Sequence, residues 1–349
     1  MEVSIQQTEI SPWIEKYRPT NLDEIISHQH IVSSLRQYIK QQTFPNLILF
    51  GPPGTGKTSL INACATELFG TNVKLCTLEI NASEERGIDV VRSRISQFVG
   101  GKNTFSWDDK NIPPIKLIIL DEADSMTLDA QIALKNVIDT YSRTSRFCLM
   151  CNCIKKIHTL LLSRCVRFRL HPLPKNHAIE RIKTICKTEN VSIDDDALQN
   201  IIKSSNGDMR HAINVLQSVH TAYENVNVAC ICKYLNQIPD SVITHIIKFV
   251  TKNNVDMSYQ EIMKILNSNG YSFHELITLI NTKILNYVVA IKGDIPIKDK
   301  DEDKIINNMS LSKRCDILAG LGKIESQLFS NVNTKILVLS LIGLFINKN

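Results

Sequence analysis

Glycine and proline are scarce in this 349-residue chain, at 13 and 11 residues, and no segment has the composition of a disordered tract. Neither sign of charge dominates. The net charge of +5 permits contact with nucleic acid without pointing to it, so the placement of the basic residues matters more than their number. Long apolar runs are missing as well. The longest, ILVLSLIGLFI at 336–346, is too short to cross a bilayer and is expected as a buried helix. The first residues, MEVSIQQTEISPWIEKYRP, lack a basic start followed by an apolar stretch, so reduced thiols are expected rather than a secretory signal. Cys148, Cys151 and Cys153 cluster and Cys165 follows, but no second CxxC pair stands at zinc-ribbon spacing, and Cys230 with Cys232 make only a CxC. The ten cysteines are therefore expected to be structural.

What is present is 43% apolar and 21% charged residues, the make-up of a globular protein, at a length that suits two or three domains. No internal repeat appears. Up to residue 172 apolar strands alternate with amphipathic helices. Ile31, Leu35, Tyr38 and Ile39 share one helical face, and NLILF (46–50) reads as a strand. Leu60, Ala63, Cys64 and Leu68 mark the next helix. KLCTLEINAS (74–83), IKLIILDEAD (115–124), RFCLMCN (146–152) and CVRFRL (165–170) read as further strands, with helices over 87–99 and 128–142. This alternation predicts a parallel sheet covered on both faces. After Pro172 and Pro174 the strands stop, and Asp208 is placed to cap a helix. The expected organisation is an α/β domain over 1–172, a small helical domain over 173–232 and a second helical domain over 233–349.

Within the first domain, GPPGTGKT (51–58) fits the phosphate-loop pattern in full, with a strand before it and a helix after it. Backbone N–H groups of such a loop curl around phosphates, and the helix N-terminus adds partial positive charge. Lys57 would reach the β- and γ-phosphates, and the Thr58 hydroxyl would ligate Mg²⁺. LIILDEAD (117–124) brings two acids to a strand's carboxyl end, where ligands sit in α/β sheets. Asp121 suits a metal and Glu122 an attacking water. Asn152 ends the next strand. It is either a turn residue or a group that orients that water. Arg210, in NGDMRHA, is either an exposed helix arginine or a cation that senses the γ-phosphate from the helical domain. Arg164, in LLLSRCVRF (160–168), is a solvated charge, the partner of a buried acid, or a catalytic group aimed outside the chain.

In order, PWIEKYRP (12–19), GPPGTGKT, INASEERGIDVVR (80–92), LDEAD, CN with KKI (151–157), SRC (163–165) and GDMR (207–210) closely resemble the small subunits of replication factor C, the clamp loader of eukaryotes, archaea and some large DNA viruses. That family is a branch of the AAA+ ATPases. The resemblance covers roughly residues 11–220 and rests most on SRC and the NASEERGID stretch. It implies an α/β fold of P-loop AAA+ type, with a parallel-sheet domain, a small helical lid domain and a C-terminal all-α collar domain. It implies a hetero-oligomer, most simply a pentamer, that uses ATP with Mg²⁺ to open a sliding clamp and load it onto primer–template DNA. No membrane is involved. The location implied is the nucleus in a eukaryotic cell, and otherwise the cytoplasm or a viral factory. Catalytic roles fall on Glu122, on Asn152 as sensor 1, on Arg210 as sensor 2, and on Arg164 as an arginine finger acting in trans. Nucleotide contacts fall on Tyr17, Arg18 and Pro19 near the base and on Gly51, Pro52, Pro53, Gly54, Thr55, Gly56, Lys57, Thr58 and Ser59. Thr58 and Asp121 hold the metal.

DNA contact would fall on Arg86, Arg92 and Arg94 of one helix and on Lys135 of another. Such contacts track phosphates and carry no sequence information. Family members usually carry two adjacent arginines where this chain has Lys135-Asn136, and Arg92 with Arg94 also suit a solvated helix face. Two other readings compete. One is a structural subunit of such a loader, or of a checkpoint or cohesion variant, that binds ATP without hydrolysing it. The other is a related motor, such as a branch-migration helicase or an unfoldase, which an aromatic pore loop would favour. Trp107 is the one tryptophan in the loops of the α/β domain.

Overall fold

Short apolar segments with no polar interruption can be strands only where helices cover both of their faces. The computed structural model describes residues 11–84, 88–100, 114–223, 225–252, 254–290, 309–330 and 332–346. The chain divides into two compact units, Met1–Asn227 and Val228–Asn349. In the first, β1 (Leu47–Phe50), β2 (Thr77–Asn81), β3 (Lys116–Asp121), β4 (Ser145–Cys151) and β5 (Val166–Arg169) form a five-stranded sheet in the order β2-β3-β4-β1-β5. Every pairing is parallel.

Alternate side chains of these strands enter two separate cores. Leu47, Leu49, Leu117, Ile119, Cys148 and Met150 pack on one face with Ile31, Leu35, Leu60 and Leu68. These four come from α2 (Gln29–Lys40) and α3 (Lys57–Phe69), which follow α1 (Trp13–Lys16). Ile48, Ile118, Leu120, Phe147 and Leu149 pack on the other face with Ile95, Ala130, Leu134 and Ile138.

The sequence-predicted strand over 74–83 forms only in part. Val73–Cys76 make one helical turn, α4, and the strand begins at Thr77. Thr77 to Asn81 are the residues that find ladder partners, Leu117 to Asp121 of β3. Leu75 has no such partner and stays 53% exposed. Backbone groups without a ladder satisfy themselves locally, here in a turn of helix.

α5 (Ile88–Gly100) and α6 (Leu128–Thr140) cover the second face, and α7 (Thr159–Leu162) precedes β5. Gln131 of α6 is buried. Its amide donates to the Met126 and Lys156 carbonyls at 3.2 and 3.1 Å, and its carbonyl accepts from the His158 N–H at 2.7 Å.

Beyond Pro174 come α8 (Lys175–Thr188), α9 (Asp195–Ser205) and α10 (Met209–Ala222). Asp208 caps α10 as expected, accepting from the N–H groups of Arg210 and His211 at 2.8 and 3.3 Å. The first described residues tie down these helices. The Trp13 N–H donates to Gln217 Oε1 at 3.0 Å, Lys16 Nζ donates to Glu189 at 2.6 Å, and the Tyr17 hydroxyl donates to the same Glu189 oxygen.

The second unit contains α11 (Val228–Tyr234), α12 (Asp240–Lys252), α13 (Val255–Asn269), α14 (Phe273–Ala290), α15 (Leu311–Leu328) and α16 (Thr334–Ile346). Ile247, Ile277, Ile280, Leu321 and Leu341 lie in its core. α15 and α16 approach so closely at Gly320 that a Cβ there would stand 2.3 Å from Leu344 Cδ2. The apolar run at 336–346 is buried along one face through Leu337, Val338, Leu341, Ile342 and Phe345, while Ile336 and Leu339 are exposed. Among the described residues no helix is long and apolar enough to cross a membrane.

Candidate functional site

The turn after β1 passes through backbone conformations that side chains disfavour. Gly54 and Gly56 have φ of 70° and 89°, in the region where glycine carries no steric penalty. Gly54 is constrained twice, because a Cβ there would stand 1.9 Å from Asp208 Oδ1. The cap of α10 thus rests directly on the loop. Gly51 lies against the residue after β5, where a Cβ would stand 2.1 Å from the Leu170 carbonyl oxygen. At Gly56 a Cβ would meet nothing within 4 Å, so the cradle is open on that side. Successive N–H groups of such a loop form an anion-binding concavity.

Lys57 follows the loop. Its ammonium donates to the Gly51 and Pro52 carbonyls and to Asn152 Oδ1, each at 2.9 Å. Burial pulls the Lys57 pKa below its ordinary value, with the Asp121 carboxylate opposing this and Arg210 reinforcing it. β1 and β4 are paired neighbours, which is why Asn152, the residue after β4, arrives at the lysine. β3 pairs with β4 on its other side and delivers Asp121 and Glu122 to the same carboxyl edge.

Glu122 is held in the left-handed region, with φ of 52°, uncommon for a residue with a side chain. Its N–H donates to Asp121 Oδ1 at 2.8 Å, and its carbonyl accepts from the Ser125 hydroxyl at 2.7 Å. Asp124 Oδ2 accepts from the Cys153 N–H at 3.1 Å. That bond joins the β3 acids to the loop after Asn152. Backbone strain of this kind gathers at functional sites.

From α10, Arg210 Nη2 donates to Thr58 Oγ1 at 3.3 Å. Tyr17, Arg18 and Pro19 line one cleft together with Gly54, Thr55, Gly56 and Ser59 of the loop and with Arg181, Met209 and Arg210. Arg181 Nη2 also donates to the Tyr17 carbonyl at 2.7 Å. Thr58 and Asp121 are hard oxygen donors of the kind Mg²⁺ accepts. Among the described residues no group of three or more His, Cys, Asp or Glu forms a protein-only metal cage.

Arg164 lies elsewhere. It stands between α7 and β5, and its Nε donates to Asp139 Oδ1 at 2.9 Å. β5 pairs with β1 in the register Leu47↔Val166 to Phe50↔Arg169. Arg164, two residues before Val166, is therefore at the amino edge of the sheet, whereas the phosphate loop leaves its carboxyl edge. The four residues of β1 separate those edges by roughly 13 Å.

Of the residues expected to face DNA, Arg94 is exposed on α5. Lys135 is on α6, packed against α5, and pairs with Asp139 at 2.8 Å. Arg86 and the Arg92 side chain lie outside the described residues, as does Trp107. Sequence reasoning missed Arg181, Glu189 and Asp139. Arg181 and Asp139 are ordinary charged helix residues in one dimension and Glu189 follows the end of α8, and no local pattern marks their partners.

None of the ten cysteines is joined in a disulfide. Burial pushes the thiols of Cys151 and Cys165 up to about 12. They stay protonated and unreactive near neutral pH, in keeping with a structural role.

The pattern of the "ATPase family associated with various cellular activities (AAA)" matches residues 47–173, and that of an "RCF1/5-like, AAA+ ATPase lid domain" matches residues 180–221. Loop, strand-end acids and lid thus define an ATPase of the AAA class. Probable replication factor C subunit 5 of Dictyostelium discoideum is 38% identical over 99% of this chain and 93% of its own. Human replication factor C subunit 5 is 36% identical over 96% of this chain and 91% of its own. The putative replication factor C small subunit L499 of Acanthamoeba polyphaga mimivirus is 36% identical over 97% and 94%. Within the AAA class, the chain belongs to the replication factor C subunit family. The solved structure of a Thermotoga maritima RuvB mutant is similar in fold, with a TM-score of 0.51 over 72% of this chain and 87% of its own at 17% identity.

Proposed function

We propose that this chain is an ATP-hydrolysing small subunit of a replication factor C-like clamp loader. It takes part in opening a ring-shaped clamp and placing it on primer–template DNA where DNA is replicated. The observation that carries this reading is the position of Arg164. Its own phosphate loop lies at the opposite edge of the sheet, beyond the reach of an arginine side chain. That placement, with Asp139 the only side chain paired to it among the described residues, supports a role at the nucleotide of a neighbouring subunit.

Within one chain, the loop N–H groups and Lys57 receive the β- and γ-phosphates. Lys57 gives up its bonds to Asn152 and the Gly51 and Pro52 carbonyls to do so. Thr58 and Asp121 hold Mg²⁺, which when bound neutralises charge on the phosphate oxygens. Asn152, freed from Lys57, orients a water in line with the γ-phosphorus, and Glu122 accepts its proton as the new P–O bond forms and the bond to the β-phosphate oxygen breaks. Arg210 reads the γ-phosphate from the lid, and Tyr17, Arg18 and Pro19 enclose the base. The neighbour's counterpart of Arg164 meets the charge of the transition state. The exposed Ile336 and Leu339 of the second unit support a further contact between subunits, and Arg94 and Lys135 support phosphate tracking along DNA.

In the assembly purified through this chain, Arg164→Ala is expected to lower ATPase by at least about a hundredfold at the neighbouring site, since arginine fingers contribute about 10³–10⁵. ATP binding by the variant chain itself, followed with a fluorescent nucleotide, should stay within about twofold, because a group acting in trans makes no contact with its own chain's nucleotide. Loss of that binding would make Arg164 a structural residue and sink the reading.

A further inference from the structure

Asp139 occupies a poor place for a carboxylate. It lies in the last turn of α6, which ends at Thr140, where the helix dipole disfavours negative charge. It follows Lys135 by four residues, the weaker order for a helical ion pair. Helix stability does not account for it.

The geometry around it does. Oδ1 accepts from Arg164 Nε at 2.9 Å, and Oδ2 accepts from Lys135 Nζ at 2.8 Å. One carboxylate therefore joins the arginine before β5 to the lysine on α6. Only Nε of the guanidinium is engaged. Nη1 and Nη2, the terminal fork that grips phosphate oxygens in pairs, have no hydrogen bond among the described residues. A carboxylate that sequestered the arginine would take the fork, and this one holds it from the side. Both cations hold the Asp139 carboxyl below its usual pKa, Lys135 first and Arg164 second, so it is charged at neutral pH.

We propose that Asp139 is the positioning residue for Arg164. It orients the guanidinium through Nε and shares its charge with Lys135, so that a polyanion drawing Lys135 away leaves Asp139 wholly to Arg164. Binding of a nucleic-acid backbone at Lys135 thereby sharpens the cation offered to the neighbouring subunit's nucleotide. This rests on the reading of Arg164 as a group acting in trans.

The test is steady-state ATPase of the complete assembly purified through this chain, with and without a primed DNA oligonucleotide. Asp139→Asn should lower kcat about tenfold with KM for ATP within about twofold, a loss in the range that misplacing a catalytic group produces. Asp139→Glu should recover most of it, and Asp139→Asn should add nothing in an Arg164→Ala background. Lys135→Ala should raise the DNA-free rate about two- to threefold and flatten stimulation by DNA, as expected from freeing one exposed ion pair. If Arg164→Ala lowers kcat and Asp139→Asn does not, the positioning role is wrong. A rise in kcat with Asp139→Asn would make the carboxylate a sequestering group and also overturn it. If Arg164→Ala has no effect, the underlying trans reading fails instead. Should Asp139→Asn prevent folding, Lys135→Ala decides, and an unchanged DNA-free rate with unchanged stimulation overturns the shared carboxylate.

Discussion

Lys57 commits all three of its ammonium donors to Gly51, Pro52 and Asn152, so the side chain already stands among the groups proposed to receive a γ-phosphate. Lys57→Ala is expected to weaken Mg-ATP binding to this chain by at least about a hundredfold, because it removes a desolvated charge aimed at the phosphates. Titration calorimetry checks this, and retained affinity would show the loop to be an ordinary turn. Phosphate-loop residues were legible because each has a backbone or charge requirement at a fixed spacing, and Gly54 and Gly56 do adopt positive φ. Asp139 was not legible. In one dimension it is an acid four residues after a lysine on a helix face, and its bond to Arg164 spans 25 residues. Glu189 is hidden in the same way, since Lys16 and Tyr17 reach it from more than 170 residues away.

At the scale of elements, apolar runs and helical spacing located all five strands and the helices α2, α3, α5 and α6, but not the short turns α1 and α7, and they began one strand too early. The exception at Val73–Cys76 arose because strand length is set by the partner strand and not by local preference. The buried Gln131 is a second feature that pattern alone conceals, since its position in LDAQIALKNV suits any polar face residue. Its three bonds fasten the start of α6 to the segment between Asn152 and α7. Gln131→Leu is expected to destabilise the first unit by about 2–3 kcal/mol, because it leaves two carbonyls and an N–H without partners. Denaturant unfolding of the full chain measures this, and a change below about 0.5 kcal/mol would mean that water replaces the amide.

Across the whole molecule, the proposed function rests on two edges of one sheet. The carboxyl edge of β1, β3 and β4 carries the groups proposed to face the nucleotide, and the amino edge of β5 carries Arg164 close to the helix that bears Lys135. If α5 and α6 follow a nucleic-acid backbone through phosphates, DNA-stimulated ATPase of the assembly should fall steeply between about 50 and 200 mM salt, as counterion release requires. A flat response would count against phosphate tracking.

The sequence alone determined the class of fold and singled out the groups proposed to act on the nucleotide, because a parallel sheet, a phosphate loop and strand-end acids need particular residues at short, fixed separations. Only the tertiary structure decided which distant groups meet: Asp208 against Gly54, Glu189 against Tyr17, and Asp139 between Arg164 and Lys135. Those meetings leave no trace in local pattern, since a cap or an exposed helix position accepts a charged residue whatever lies opposite it. They exist because folding brings residues distant in sequence into contact.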